Sequence, residues 1–287
     1  MHERIRDGSY SRPHCSLLAS GSVQAAEYGY PKYEIPLLEA YCGQFESVFI
    51  VLHPFIRVSE ALGWAAAQHY PDDSQVLGEG KKCSWSEVSK QIGISSYARM
   101  NQALLTSIGS LADYLADWAG RDAIAEFVKA QAVWMPTEGR FEPLLQRDFL
   151  DVFEAAGAAE LVFVPEFPNA DPVVQLSVDW LKGGASAGVD ASRTAGLESG
   201  ATRQSAIPFP ARGTLLAPDR SFLFTVDWDS FFTLFYGPRG FVEEEVRRLR
   251  LEGFFATANT DHAWFNYSFG CAVVTVSPED CASYSTS

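Results

Sequence analysis

Two carboxylates one residue apart, Asp227 and Asp229, follow directly on the apolar run Phe222 to Val226. Alternate side chains of an extended backbone share a face, so both carboxylates would point one way and Trp228 the other. Oxygens so placed suit a divalent cation such as Mg²⁺ or Mn²⁺, which could neutralise a leaving diphosphate or activate water. The structural alternative is that Asp229 caps a helical turn in Ser230 to Phe235 (SFFTLF) while Asp227 satisfies backbone groups at the strand end.

His262 is the natural partner for such a pair. It sits among Asp261, Trp264 and Tyr267, a setting for a general acid or base or for a stacking pocket, although a histidine at a hairpin corner also serves as a plain turn residue. Gly184-Ala-Ser186-Ala-Gly188 matches the G-x-S-x-G nucleophile elbow, and Asp227 or Asp229 and then His262 follow in the order Ser, Asp, His. Against this, 15 of the 24 residues from Gly183 to Ala206 are Gly, Ala or Ser, a composition that yields the motif without selection, and no upstream HGGG-type loop is present. His53 is placed at a strand end, where a hydrogen-bonded structural role is as natural as a site.

The elements that must position these groups are read from periodicity. Ser47 to Leu52 (SVFIVL) is predicted as a buried strand, ended by His53-Pro54. Ser84 and Glu87 form a capping box for a helix that stops at Gly93. Met100, Leu104, Ile108, Leu111, Leu115 and Trp118 keep helical spacing and predict one continuous helix ended by Gly120, after which Asp122 caps a shorter one. Further helices are predicted over 142–156, from Pro172 to Lys182, and after Gly237-Pro238 as far as Gly253. The last has Val242, Val246 and Leu249 inward and Glu243/Arg247 and Glu244/Arg248 paired outside. Strands are predicted at Leu161 to Val164, in a hairpin of Thr214 to Leu216 with Ser221 to Val226, in a second hairpin of Phe254 to Thr257 with His262 to Ser268, and at Val273 to Val276. Ser86 to Leu104 has the outline of a helix-turn-helix, but Arg99 falls where an apolar residue belongs, so an ordinary helical hairpin is expected.

The formal charge of −14, from 22 Lys and Arg against 36 Asp and Glu, disfavours nucleic acid and anionic membrane as partners. No apolar run reaches the about 18 residues of a membrane-spanning helix. Five scattered cysteines without a C-x-x-C pair are read as reduced thiols of a cytoplasmic protein.

The runs Val226 to Pro238 (VDWDSFFTLFYGP) and Leu251 to Tyr267 (LEGFFATANTDHAWFNY) resemble a bacterial family known as domain of unknown function 2711. The resemblance implies a bacterial, soluble protein and brings no known activity or catalytic residue. The Asp261 to Phe265 ending is also similar to that of immunity-type proteins, which neutralise toxins by binding.

The expected fold is α+β, a central helical group packed on a mixed or antiparallel sheet with C-terminal hairpins. Its parts are a strand and helical region at 1–182, a flexible loop at 183–212 and an aromatic strand-rich region at 213–287 of the same domain. The expected function is a small-molecule-binding enzyme of unknown substrate, a metal-assisted hydrolase or transferase with Asp227 and Asp229 as metal or substrate ligands and His262 as acid or base. The alternatives are a non-catalytic protein whose acidic surface binds a basic partner, and a serine hydrolase using Ser186.

Overall fold

The computed structural model describes residues 27–33, 35–58, 72–167, 173–183 and 209–264. Its centre is a seven-stranded sheet in the order β10-β1-β9-β8-β7-β5-β6, every neighbouring pair antiparallel. The strands are β1 (Ser47–Leu52), β5 (Glu160–Pro165), β6 (Val174–Ser177), β7 (Gly213–Leu216), β8 (Leu223–Val226), β9 (Phe232–Gly237) and β10 (Gly253–Phe255). The chain on both sides of the Gly/Ala/Ser-rich stretch thus contributes to one sheet. A smaller sheet orders β3 (Lys81–Cys83), β2 (Phe55–Arg57) and β4 (Val133–Trp134).

Alternation along each strand divides the core in two. Val48, Ile50 and Leu52 of β1 join Leu223, Leu234 and Tyr236 on one face, while Phe49 and Val51 join Phe224, Val226 and Phe235 on the other. The first face is covered by α2 (Trp85–Ile92), α3 (Tyr97–Ile108) and α4 (Trp118–Gln131), through Trp85, Val88, Met100, Leu104, Ile124 and Phe127. The second carries α5 (Pro143–Ala155) and α6 (Arg239–Leu249), through Leu145, Phe149, Phe153, Val242 and Val246. A short α1 (Asp73–Glu79) precedes β3. This is an α+β fold, and burial on both faces explains why its central strands read as unbroken apolar runs.

The Ser84/Glu87 capping box and the left-handed Gly93 bound α2 as expected, and Glu142 caps α5. The continuous helix through Met100 and Trp118 is corrected: α3 stops at Gly109, whose φ of 75° is left-handed, a 3₁₀ turn spans Asp113–Leu115, and α4 starts anew. Asp117, not Asp122, caps α4 by accepting from the Gly120 amide at 2.9 Å. Gly120 lies inside α4, where a Cβ would come within 2.8 Å of the Ala103 Cβ, so its smallness lets α3 and α4 approach. Leu111 is half-buried on the connecting loop. We therefore expect Leu111→Ala to cost about 1 kcal/mol or less in urea denaturation, well below a core deletion.

Other expectations also change. Residues 174–177 pair with β5 as an edge strand, and only 178–183 are helical, so no helix fills 173–182. SFFTLF is no helical turn but the start of β9, between β1 and β8. On α6, Arg239 pairs with Glu243, and Arg248 with the buried Glu245, in place of the two expected pairs. That helix ends at Arg250, whose φ is 53°, and Gly253 opens β10, where a Cβ would lie 1.9 Å from the Ile50 carbonyl oxygen. His262 lies in a turn, not a strand. Cys42 is disulfide-bonded, against the expectation of reduced thiols, because scattered spacing carries no information on which thiols folding brings close; Cys83 is a buried free thiol. Residues 184–208 with Ser186, and 265–287 with the strand expected at Val273, lie outside the described residues.

Candidate functional site

The turn between the adjacent central strands β8 and β9 carries Asp227-Trp228-Asp229-Ser230. Ser230 closes it, its amide donating to the Asp227 carbonyl at 3.3 Å and its hydroxyl lying 2.9 Å from the same oxygen. The two carboxylates therefore sit in a tight turn and not on one face of an extended strand. Gly139 packs against this turn: its amide donates to the Ser230 carbonyl at 2.9 Å, and at its φ of 63° a Cβ would meet the Trp228 carbonyl oxygen at 1.8 Å. Trp228 is 56% exposed, whereas Asp227 is only 6% exposed.

Asp227 is surrounded from two distant parts of the chain. The Tyr33 hydroxyl donates to its Oδ2 at 2.5 Å, and Nε2 of His262 lies 3.7 Å from the same oxygen. On the other side of the imidazole, the Tyr30 hydroxyl is 2.8 Å from Nδ1. The Tyr33 and His262 rings pack at 4.2 Å between centroids, Tyr30 meets His262 edge-on at 5.4 Å, and Phe232 backs the imidazole at 6.1 Å. The two terminal segments are pinned together close by, where the Leu37 amide donates to the Thr260 carbonyl at 2.8 Å. Burial pushes the His262 pKa down to about 4, against an opposing pull from the Asp261 carboxylate, so the ring is neutral at pH 7. Tyr30 and Tyr33 are held protonated, their pKa values raised first by burial and then by the nearby Asp227.

Asp229 faces a different neighbourhood. Burial raises its carboxyl, Asp227 raises it further by repulsion, and a hydrogen bond from Ser110 and the charge of Arg212 act the other way. Glu138 is raised likewise, by burial and then by repulsion from Asp229. Glu138 also lines a cleft of about 730 Å³ whose apolar floor includes Ile108, Met135 and Phe231 and whose polar wall includes Thr137 and Arg140. Arg212, whose charge opposes the rise at both acids, is held in place by donating to the Gly139 carbonyl at 2.5 Å and by pairing with Glu166.

Of the residues expected from sequence, Asp227 and His262 come together, and Asp229 is carried by the same turn toward Glu138. Among the described residues no group of three or more His, Cys, Asp or Glu side chains is arranged to hold a metal ion. His53 is structural: fully buried, it bonds the Thr137 carbonyl through Nδ1 and the Thr233 hydroxyl through Nε2, both at 2.9 Å. Tyr30, Tyr33 and Glu138 were not singled out by sequence reasoning. The tyrosine density of Tyr28-Gly-Tyr30-Pro-Lys-Tyr33 was the one signal for the first two, and nothing local marks Glu138.

The chain belongs to the family described as protein of unknown function (DUF2711), which matches residues 33–180 and 190–266, far beyond the C-terminal runs quoted above. It is 25% identical over 242 residues to the uncharacterized protein YwbB of Bacillus subtilis (strain 168), covering 81% of this chain and 96% of that protein. No solved structure matches. No helix among the described residues is long and apolar enough to cross a membrane.

Proposed function

We propose that the protein is a small-molecule-binding enzyme that works by acid–base chemistry at the β8–β9 turn, with Asp227 and His262 as the proton-handling pair and the cleft beside Glu138 receiving the substrate. The observation that carries this reading is the approach of His262 to within 3.7 Å of Asp227, in surroundings dry enough to hold the imidazole neutral. A neutral imidazole beside a carboxylate and two protonated tyrosines provides both a proton acceptor and proton donors within one contact shell. The Trp228 side chain, next to Asp227 in the same turn, is exposed.

The test is turnover of a panel of chromogenic esters, amides, phosphate monoesters and glycosides by the natural protein and by Asp227→Asn. On whichever substrate is turned over, Asp227→Asn should lower kcat/KM by about 100-fold or more, the usual contribution of a positioned acid or base. Full activity in that variant would sink the assignment. Absence of any turnover, together with thermal stabilisation by polylysine and by none of the panel, would favour a binding protein that uses its acidic surface.

A further inference from the structure

Among the described residues, His262 makes one polar contact through each ring nitrogen: Nδ1 with the Tyr30 hydroxyl at 2.8 Å and Nε2 toward Oδ2 of Asp227 at 3.7 Å. A neutral imidazole has one N–H and one lone pair, so one nitrogen must donate and the other accept. With the proton on Nδ1, the Nε2 lone pair would face a carboxylate oxygen, and Tyr30 would have to turn its hydroxyl hydrogen away from the ring. With the proton on Nε2, Tyr30 donates to Nδ1 and the N–H dipole points at the carboxylate. Both contacts are then attractive. The high pKa of Tyr30 keeps the hydroxyl hydrogen that this arrangement requires.

We propose that Tyr30 is a positioning residue: its hydroxyl holds His262 as the Nε2–H tautomer, which takes the ring's lone pair out of a ligand's reach and leaves Asp227, oriented by Tyr33 and His262, as the proton acceptor of the pair. Among the described residues, the other groups that face the imidazole are Tyr33 from the segment of Tyr30, Phe232 from β9 and Asp261 from its own turn. None of them offers Nδ1 a second donor. The role given to Asp227 rests on the acid–base reading above; the tautomer does not.

Two measurements at pH 7 test this. Long-range ¹H–¹⁵N correlation on histidine-labelled protein reports the tautomer of His262, and diethyl pyrocarbonate, which acylates an accessible imidazole lone pair, reports its reach when peptide masses locate the product. The natural protein should show the Nε2–H form and slow acylation of His262; Tyr30→Phe should show mixed tautomers and acylation several-fold faster. An Nδ1–H form in the natural protein, or a Tyr30→Phe protein unchanged in both respects, would overturn the proposal. His53, with both nitrogens bonded inside the core, is the internal control for folding. Should it become reactive in the variant, the natural protein's tautomer alone decides. An Nε2–H ring in a protein whose Asp227→Asn variant stays fully active would remove Asp227 as acceptor and spare the role of Tyr30.

Discussion

Lowering the pH from 7.5 to 4 should cost the folded protein roughly 6 kcal/mol through two histidines alone, each fall of pKa from 6.5 to about 4 being equivalent to roughly 3 kcal/mol. Burial is the main cause at both: His53 is enclosed against Thr137 and Thr233, and His262 against its tyrosines. The direction follows from proton counting. Between the two pKa values the unfolded chain binds protons that the native state refuses, so stability falls as pH falls through this window, is intact above 6.5 and has levelled out below 4. Carboxylates raised by burial, such as Glu142 and Glu252, act oppositely, because the native state takes up their protons before the unfolded chain does. The measurement is therefore a comparison. Urea denaturation at pH 7 and 4.5 should show a clearly smaller acid loss for His53→Asn, whose amide keeps a donor near the Thr137 carbonyl, than for the natural protein. Equal losses would mean that His53 is protonated inside the fold.

Glu252→Ala should cost about 3 kcal/mol or more, because one carboxylate satisfies three donors at a helix start. Its Oε2 accepts from the Trp85 amide at 2.7 Å, and its Oε1 from the Ser86 amide at 2.8 Å and the Tyr97 hydroxyl at 2.9 Å. These amides belong to the first turn of α2, where no intrahelical acceptor exists and a negative charge is favoured. The same residue's carbonyl accepts from the Leu52 amide at 2.9 Å, so Glu252 fastens α2 to the edge of the sheet. Glu252→Gln keeps one acceptor oxygen and should lose about half as much in urea denaturation. A loss below about 1 kcal/mol in the alanine variant, the scale of exposed ion pairs, would show that water replaces the carboxylate freely.

What could be read from sequence followed local signals. SVFIVL, the 213–226 hairpin, the Ser84 capping box and the Glu142 helix each carry their own start, stop and periodicity, and each is present. Failures arose where a pattern outran its boundary. The apolar spacing from Met100 persists past Gly109, because the loop that follows also packs Leu111 against the core, so periodicity hid a break that the glycine announced. SFFTLF shows no alternation because both faces of β9 are covered, and a run of that kind does not separate strand from turn of helix. At the site, Asp227 and His262 stood out as polar residues in an aromatic stretch, but the tyrosines that surround them lie 194 and 232 positions away, at a distance no local spacing can encode.

That separation has a consequence for biosynthesis. Tyr30 and Tyr33 leave the ribosome early and His262 late, while the turn they enclose belongs to strands made in between. The sheet's central pairings can therefore form on a nascent chain that still lacks the imidazole, and the cluster closes only as the segment of His262 docks. On the acid–base reading, a chain ending before Asp261 would lack the histidine of the proposed pair, and supplying the missing peptide would be needed to complete it.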